Sequence, residues 1–341
     1  MSDYDTAELG GLVESRKRPI PFFLYRLFNS IIEFDSEEIK FDEVITDRRM
    51  APFVAPEVEG KVMASRGSTT KTFKPAYVKP IHVIRPNKTL KRLPGEALTG
   101  EMSPEDRRDL LLMQQFVEHS EMIDNRLEWM AVQIVRKGAI TVEGEDYPKQ
   151  VVDFQRDAAL SVTLLTTYVW GGNDADIIGD IESMSISMSK AANGAPASTI
   201  TMDPDAWAKF RVDAAVEKLL DLTKANGDSN INTGPLANGD EVTYVGRLAG
   251  RFDIYVDSRS FVNDAGTTVP YLESGEVIFD SPAVAGAQCF GAIMDDDVLH
   301  AMRAYHSDWK ENNPSVRKAM TQSAPLPVPG RINGTGYLKV L

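Results

Sequence analysis

Residues 103–138, SPEDRRDLLLMQQFVEHSEMIDNRLEWMAVQIVRKG, predict one long α-helix around which the rest of the chain must fold. Ser103 suits the N-cap, Pro104 suits the first helical position, and Asp106 completes a pattern similar to a capping box. Gly138 is the kind of residue that ends a helix in a left-handed conformation. A helix over 104–137 would be about 50 Å long. We therefore expect it to span its whole domain and call it the spine helix.

The apolar residues of the spine helix lie three or four positions apart, which is typical of a helix face packed on a core. The predicted core residues of this face are Met113, Phe116, Ile123, Leu127, Met130 and Ile134. A coiled-coil strand would show similar spacing. Because no other stretch of the chain is patterned in this way, we favour a spine packed on a sheet.

The segment before the spine helix is strongly basic, although the chain of 341 residues has a net charge of −13. Residues 60–95, here called the basic limb, contain nine lysines and arginines and no acidic residue. Taking those nine charges from the total of −13 leaves −22 on the rest of the chain. The sequence thus combines a basic limb with an acidic body.

The basic limb has the pattern of an extended chain and too few large apolar residues for a core of its own. Residues 71–78 alternate, with Phe73, Pro75 and Tyr77 on one side, which predicts a strand. Residues 66–69, RGST, predict the tip of a hairpin. Three interpretations remain open: a sheet of its own domain with a solvated basic face, an arm on an acidic neighbour, or a nucleic-acid-binding arm.

The remaining sequence predicts an anchor, a hairpin and a separate body. Residues 21–28 form an apolar anchor that would pack on a body, and 139–144 with 150–154 predict a hairpin. The body, over 150–295, is predicted to be α+β, with helices over 176–192 and 204–224 and strands at 198–202, 242–247, 251–257 and 276–279. The expected core residues of its helices are Ile177, Ile181, Met184, Met188, Trp207, Phe210, Ala214 and Leu220. The proline-rich tail is expected to return as a strand to the first domain.

Residues that could carry chemistry are few and scattered. The single cysteine, Cys289, excludes an intrachain disulfide and a multi-cysteine zinc site, and we interpret it as a core residue. The four histidines are His82, His119, His300 and His306. We interpret them as structural or solvated, and residues 295–297, DDD, as a solvated loop. Phosphate-binding, dinucleotide-binding and serine-hydrolase motifs are absent from the sequence. We therefore expect no catalytic, cofactor or metal site and no enzymatic activity.

Several stretches resemble the major capsid proteins of phage lambda and its relatives. The most specific is FKPAYVKP at 73–80, followed by TLKRLP at 89–94. Residues 21–28, 65–68 and 322–326 fit the same family in the same order. The resemblance spans essentially the whole chain and is most specific in the basic limb.

This resemblance implies an α+β, Hong Kong 97-like phage capsid fold. Its implied parts are an N-terminal arm over 1–40, an extended E-loop over 41–102 formed as a basic β-hairpin, a P-domain with the spine helix and a hairpin over 103–154, an A-domain over 155–295, and a C-terminal return to the P-domain over 296–341. It also implies that copies assemble into hexamers and pentamers, which close into an icosahedral shell around double-stranded DNA.

The resemblance also implies partners and a location. Beside copies of itself, the chain would meet a separate scaffolding protein and a portal during assembly, and a decoration (cement) protein on the mature shell. It would enclose DNA without sequence-specific binding and would contact no membrane. It would assemble in the host bacterial cytoplasm and reside in the virion. The alternatives are an encapsulin-type nanocompartment shell and, in a different class, a cytosolic enzyme with an unrecognised site.

We assign the basic limb to contacts between subunits. The predicted intersubunit residues are Lys61, Arg66, Lys71, Phe73, Lys74, Tyr77, Lys79, Arg85, Lys88, Lys91 and Arg92. The nine basic members would face an acidic neighbour, whereas Phe73 and Tyr77 would add apolar area.

Overall fold

The computed structural model has an α+β architecture with two main apolar cores. It describes residues 21–36, 38–44, 50–63, 68–93, 96, 102–144, 147–217, 230–231, 241–263, 265–296 and 298–341. The helices are α1 (Phe22–Leu27), α2 (Pro86–Thr89), α3 (Pro104–Lys137), α4 (Ile177–Lys190) and α5 (Pro204–Phe210). Helix α3 is the spine helix.

The strands form one large mixed sheet and several small ones. Numbered along the chain, they are β1 (Ser30–Glu33), β2 (Ile39–Val44), β3 (Ser68–Phe73), β4 (Ile81–Ile84), β5 (Ala139–Gly144), β6 (Tyr147–Asp153), β7 (Ser161–Thr163), β8 (Thr199–Met202), β9 (Asn230–Ile231), β10 (Val242–Leu248), β11 (Phe252–Asp257), β12 (Ser260–Val262), β13 (Thr268–Pro270), β14 (Glu276–Asp280), β15 (Ala287–Phe290), β16 (Tyr305–Asn312), β17 (Ser315–Gln322), β18 (Pro325–Val328) and β19 (Thr335–Lys339). They pair in the orders β1–β15–β18, β7–β19–β14–β8–β11–β10–β9, β16–β17–β4, β2–β3, β5–β6 and β12–β13.

Local sequence signals set both ends of the spine helix, as predicted. The Ser103 hydroxyl accepts a hydrogen bond from the Asp106 N–H at 3.1 Å, and the Asp106 carboxylate accepts one from the Ser103 N–H at 3.2 Å. This capping box satisfies N–H groups that have no partner inside the helix. At the other end Gly138 has φ 70°, a left-handed conformation that glycine adopts without a steric penalty.

The C-terminal half of the spine helix is buried in the first apolar core. The predicted core residues Ile123, Leu127, Met130 and Ile134 are all buried there. Residues of α1, β15 and β18 complete this core. The helix therefore packs on a sheet over this half, as the spacing of its apolar residues indicated.

The apolar side chains of the N-terminal half of the spine helix pack on the small sheet β16–β17–β4. Leu112 packs there against Ile84 and Ala319, with Phe116 partly buried beside them. The prediction that Met113 belongs to the core is wrong, because its side chain is 66% exposed. The sheet β16–β17–β4 covers the side of the helix that carries Leu112. Leu112 is therefore buried, whereas Met113, on the adjacent side of the helix, faces solvent.

The anchor at residues 21–28 packs on the spine helix as α1, and a buried carboxylate fixes it there. Glu128 Oε1 accepts hydrogen bonds from the N–H groups of Phe22 at 3.1 Å and Phe23 at 3.0 Å, and Oε2 accepts one from Leu24 at 2.9 Å. Arg259 Nη1 lies 2.9 Å from Glu128 Oε1. One side chain thus joins α1, the spine helix and the segment that follows β11.

The seven-stranded sheet forms the centre of the predicted α+β body, with α4 and α5 packed on it. The predicted core residues Ile177, Ile181, Met184, Met188, Trp207 and Phe210 are buried. The second helix is shorter than predicted, because Asp213 Oδ1 accepts bonds from the N–H groups of Ala215 at 2.9 Å and Val216 at 3.1 Å and starts a new turn. The core prediction for Ala214 is wrong because it is exposed, and Leu220 lies outside the described residues.

The basic limb takes part in two strand pairings that its local pattern did not predict. Strand β3 pairs with β2, which places Phe73 opposite Ile39, and β4 pairs with β17. Of the tip predicted at 66–69, Ser68 and Thr69 belong instead to β3, and residues 66 and 67 lie outside the described residues. The strand predicted over 71–78 ends at Phe73, and Val78 then forms an isolated bridge with Ser323.

The tail contributes strands both to the first domain and to the α+β body. Strand β17 pairs with β4 of the basic limb, and Leu326 and Val328 of β18 are buried in the first apolar core, as expected for a return to the first domain. Strand β19 instead lies inside the seven-stranded sheet, antiparallel to β14 and parallel to β7. The last strand therefore belongs to the body.

Candidate assembly surface

The base of the basic limb is fixed to the start of the spine helix by an ion pair. Arg107 donates to the Glu96 carboxylate through Nε at 2.9 Å and Nη2 at 2.5 Å, and the Leu93 N–H donates to Glu96 Oε2 at 3.0 Å. The Arg107 hydrogen bonds lower the pKa of Glu96 to about 2. The pair therefore stays ionised at any pH above that value.

Aromatic residues fix the middle of the limb to its own chain. Phe73 packs against Phe154 with 5.3 Å between ring centroids and the rings tilted by 52°. The Tyr77 hydroxyl donates to Gln322 Oε1 at 2.6 Å and accepts from the Met294 N–H at 3.2 Å. Burial raises the pKa of Tyr77, which keeps this hydroxyl protonated as a donor. Both aromatic members of the predicted intersubunit set thus serve the attachment of the limb.

The cations of the limb project into solvent. The exposed basic residues with no ion-pair partner among the described residues are Lys61, Lys79, Arg85, Lys88, Lys91 and Arg92. Lys74 is exposed but has a partner within the chain. Arg66 and the side chain of Lys71 lie outside the described residues. Exposed like charges within one segment repel each other, so an acidic partner surface would be favoured there.

Residues 50–63, which join the basic limb from its N-terminal side, are exposed throughout, including large apolar side chains. Phe53 has no contact that shields it from solvent, and Met50 and Val62 are almost as exposed. A soluble monomer rarely leaves so many large apolar side chains of one segment uncovered. Sequence reasoning missed this segment because charge, and not apolar exposure, drew attention to the limb.

Of the residues considered for other chemistry, the cysteine is inaccessible, and the others form no metal-binding group in the described ranges. Cys289 is buried, and this burial raises the pKa of its thiol to about 12. Within the described ranges no three His, Cys, Asp or Glu side chains are arranged to hold a metal ion. Among the helices that the structure describes, none is long and apolar enough to cross a bilayer.

Comparison with known proteins gives one consistent result. The family model described as "Phage major capsid protein E" matches residues 5–340. The chain is 31% identical to the major capsid protein of Escherichia phage lambda over 96% of both chains. It is 32% identical to the major capsid protein of Enterobacteria phage phi80, again over 96% of both.

A solved structure shows the same fold. The putative capsid protein of a prophage from E. coli CFT073 covers 99% of this chain, which covers 99% of that one, with a TM-score of 0.71 at 22% sequence identity. The fold predicted as Hong Kong 97-like is therefore the one observed.

Proposed function

Because the chain belongs to the phage major capsid protein E family, we propose that its copies form the hexamers and pentamers of an icosahedral shell around double-stranded DNA. As a major capsid protein it is a structural component of the virion. A closed shell requires head-to-tail contacts between different patches of identical subunits. Each subunit must therefore carry a projecting surface and a receiving surface.

The projecting surface in this proposal is the exposed part of residues 50–95, which docks on a neighbouring subunit. The supporting observation is the set of six exposed cations without an ion-pair partner in the described chain, next to the apolar residues of 50–63. Strands β3 and β4 of the limb pair with β2 and β17 of the same chain. The interpretation of the limb as part of a local sheet therefore accounts for these two strands. It does not account for the solvent-facing charges.

The receiving surface is the acidic body of the neighbour. Exposed carboxylates of the described body include Asp174, Glu182 and Glu217. A net charge of −13 also limits attraction between the shell and packaged DNA, which basic walls would bind in a salt-dependent way. We accordingly place the limb on protein and not on nucleic acid.

Further partners follow from the same proposal. A separate scaffolding protein and a portal would act during assembly, and a decoration protein would bind the mature shell. Identity of about 31% with a phage capsid protein over 96% of the chain favours this role over an encapsulin shell.

Membership in a structural family also supports the absence of enzymatic activity. Replacement of Asp295 and Asp296 by asparagine should therefore abolish no hydrolytic activity of the purified protein.

Charge reversal tests the docking. In Lys79→Glu/Lys88→Glu/Lys91→Glu, we expect a folded subunit whose assembly is reduced. Exposed ion pairs contribute about 0.5 kcal/mol each, so loss of three corresponds to roughly tenfold in the association constant of one contact. Wild-type assembly should also weaken as salt is raised from about 50 to 500 mM, because salt screens exposed charges.

The matched control is Lys190→Glu/Lys209→Glu/Lys310→Glu, which changes the net charge equally at exposed lysines outside the limb. Sedimentation velocity across the salt series measures assembly, and circular dichroism measures folding. The docking proposal predicts a loss in the limb variant only. Equal assembly of both variants at every salt concentration would refute it.

A further inference from the structure

Three of the four histidines, which the sequence leaves scattered, meet at one place in the structure. His82 Nδ1 lies 2.7 Å from His119 Nε2, and the two rings are nearly coplanar, with 4.9 Å between centroids. His119 Nδ1 and His306 Nδ1 lie 2.9 Å and 2.8 Å from Thr321 Oγ1. The result is a continuous chain of hydrogen bonds, here called the histidine chain.

The histidine chain joins four elements through hydrogen bonds between side chains. His82 lies on β4 in the stem of the basic limb, and His119 lies on the spine helix. His306 and Thr321 lie on β16 and β17, at opposite positions of the pairing. The chain therefore holds the stem of the limb and the β16–β17 hairpin against the N-terminal half of the spine helix, where apolar contacts are few.

We propose that the histidine chain is an acid-sensitive latch whose protonation releases the stem of the basic limb from the spine helix. A neutral imidazole has one donor and one acceptor nitrogen, so the facing nitrogens of His82 and His119 can share one proton. When both rings are charged, each facing nitrogen carries a proton. Two N–H groups cannot remain 2.7 Å apart, and the contact must open.

The surroundings oppose the charged form of His119. Its side chain is completely buried, and burial and the neighbouring His82 lower its pKa to about 4, whereas Glu118 acts in the opposite direction. Burial also lowers the pKa of His306. Because an opened His119 would regain its usual pKa of about 6.5, the closed state is fully favoured above pH 6.5 and loses stability as the pH falls toward 4.

Charged groups of the neighbouring strands, and two carboxylates with shifted pKa values elsewhere in the chain, do not supply this response. On β4 the histidine is the single titratable side chain, since the strand reads IHVI. On the hairpin, Arg317 forms an ion pair with Asp308. At the limb base Glu96 has a pKa of about 2 and stays ionised. Asp280 has its pKa raised by burial to about 6, so its protonation favours the folded body as the pH falls, the opposite sign.

Hydrogen exchange of the unassembled full-length chain between pH 7.5 and 4.5 tests the latch. The amides of 81–84 and 317–320 are followed, with each rate divided by its intrinsic rate at that pH. For the wild type we expect this ratio to rise about tenfold per pH unit below 6.5. The amides of 199–202 and 253–256 in the body serve as the reference and should not become more exposed as the pH falls.

The variant His119→Gln cannot be protonated at this position, so its ratio should depend on pH much less than that of the wild type, with only the smaller contribution of His306 left. The variant His300→Gln changes an exposed histidine outside the chain and should behave as the wild type. If His119→Gln does not fold, His82→Gln should give a shallower dependence, because the charge facing His119 is gone. The proposal is overturned if the folded variant shows the same pH dependence as the wild type. It is also overturned if the reference amides become exposed together with those of 81–84 and 317–320.

Discussion

Replacement of Glu128 by alanine is expected to lower the free energy of unfolding by about 3–5 kcal/mol, because it breaks a buried ionic cluster. Three N–H groups of α1 lose their acceptor, and Arg259 loses one of its two carboxylates. Burial alone would lower the pKa of Arg259, but Asp257 and Glu128 together raise it. The charged guanidinium therefore remains in the interior when Glu128 is gone.

Urea unfolding of the unassembled subunit, followed by circular dichroism, measures this loss. Glu128→Gln keeps an oxygen acceptor and should be less destabilising than the alanine variant. Asp109→Ala removes an exposed carboxylate of the same helix and should change stability by less than about 0.5 kcal/mol. A Glu128→Ala subunit as stable as Asp109→Ala would show that the cluster does not hold α1 in place.

The substitution Leu127→Pro is expected to prevent the subunit from folding. Proline removes the hydrogen bond to the carbonyl of Ile123 and clashes with that turn, which costs about 3 kcal/mol or more. Loss of the buried leucine side chain adds to this, since truncation to alanine alone costs about 2–5 kcal/mol in a core. Together these approach the whole stability of a typical domain, about 5–15 kcal/mol.

Solubility and sedimentation of the expressed variants measure the effect. Leu127→Ala should stay helical but be less stable, and Met113→Ala should leave the subunit as stable as the wild type because Met113 is exposed. Soluble Leu127→Pro protein that assembles would show that the spine helix is not required as one continuous element.

The spine helix could be predicted because its signals are local. Ser103, Asp106 and Gly138 act within one helical turn of each end, so a single sequence contains what is needed to place the helix. Its buried face was harder to predict over the first half. Leu112 and Met113 are both apolar neighbours, and only the position of β4 and β17, far away in sequence, decides that Leu112 is the buried one.

Contacts between distant segments could not be predicted. The pairing of β2 with β3 joins residues on either side of a long connection, and the alternation within β3 gives no information about its partner. The histidine chain joins positions 37 and 202 residues apart. Glu128 did carry a signal, because a carboxylate within the apolar run LEWMAV requires a buried partner.

The basic composition of the limb predicts the exposure of its cations but not the contacts of its aromatic residues. Its excess of lysine and arginine predicted a contact surface, and six of these cations are indeed exposed without an ion-pair partner in the described chain. Phe73 and Tyr77 were assigned to the same surface, yet they contact Phe154 and Gln322 of their own chain. Aromatic residues in an extended basic segment can thus serve as its attachment, which composition does not distinguish from a partner contact.

A cryo-EM reconstruction of the assembled particle at low salt tests the docking of the limb most directly. If the limb docks on a neighbour, residues 50–63 lie on another subunit, and Lys79, Lys88 and Lys91 each lie within ion-pair distance, about 4 Å, of its carboxylates. A particle in which these residues contact only their own chain, or contact the enclosed DNA, would contradict it.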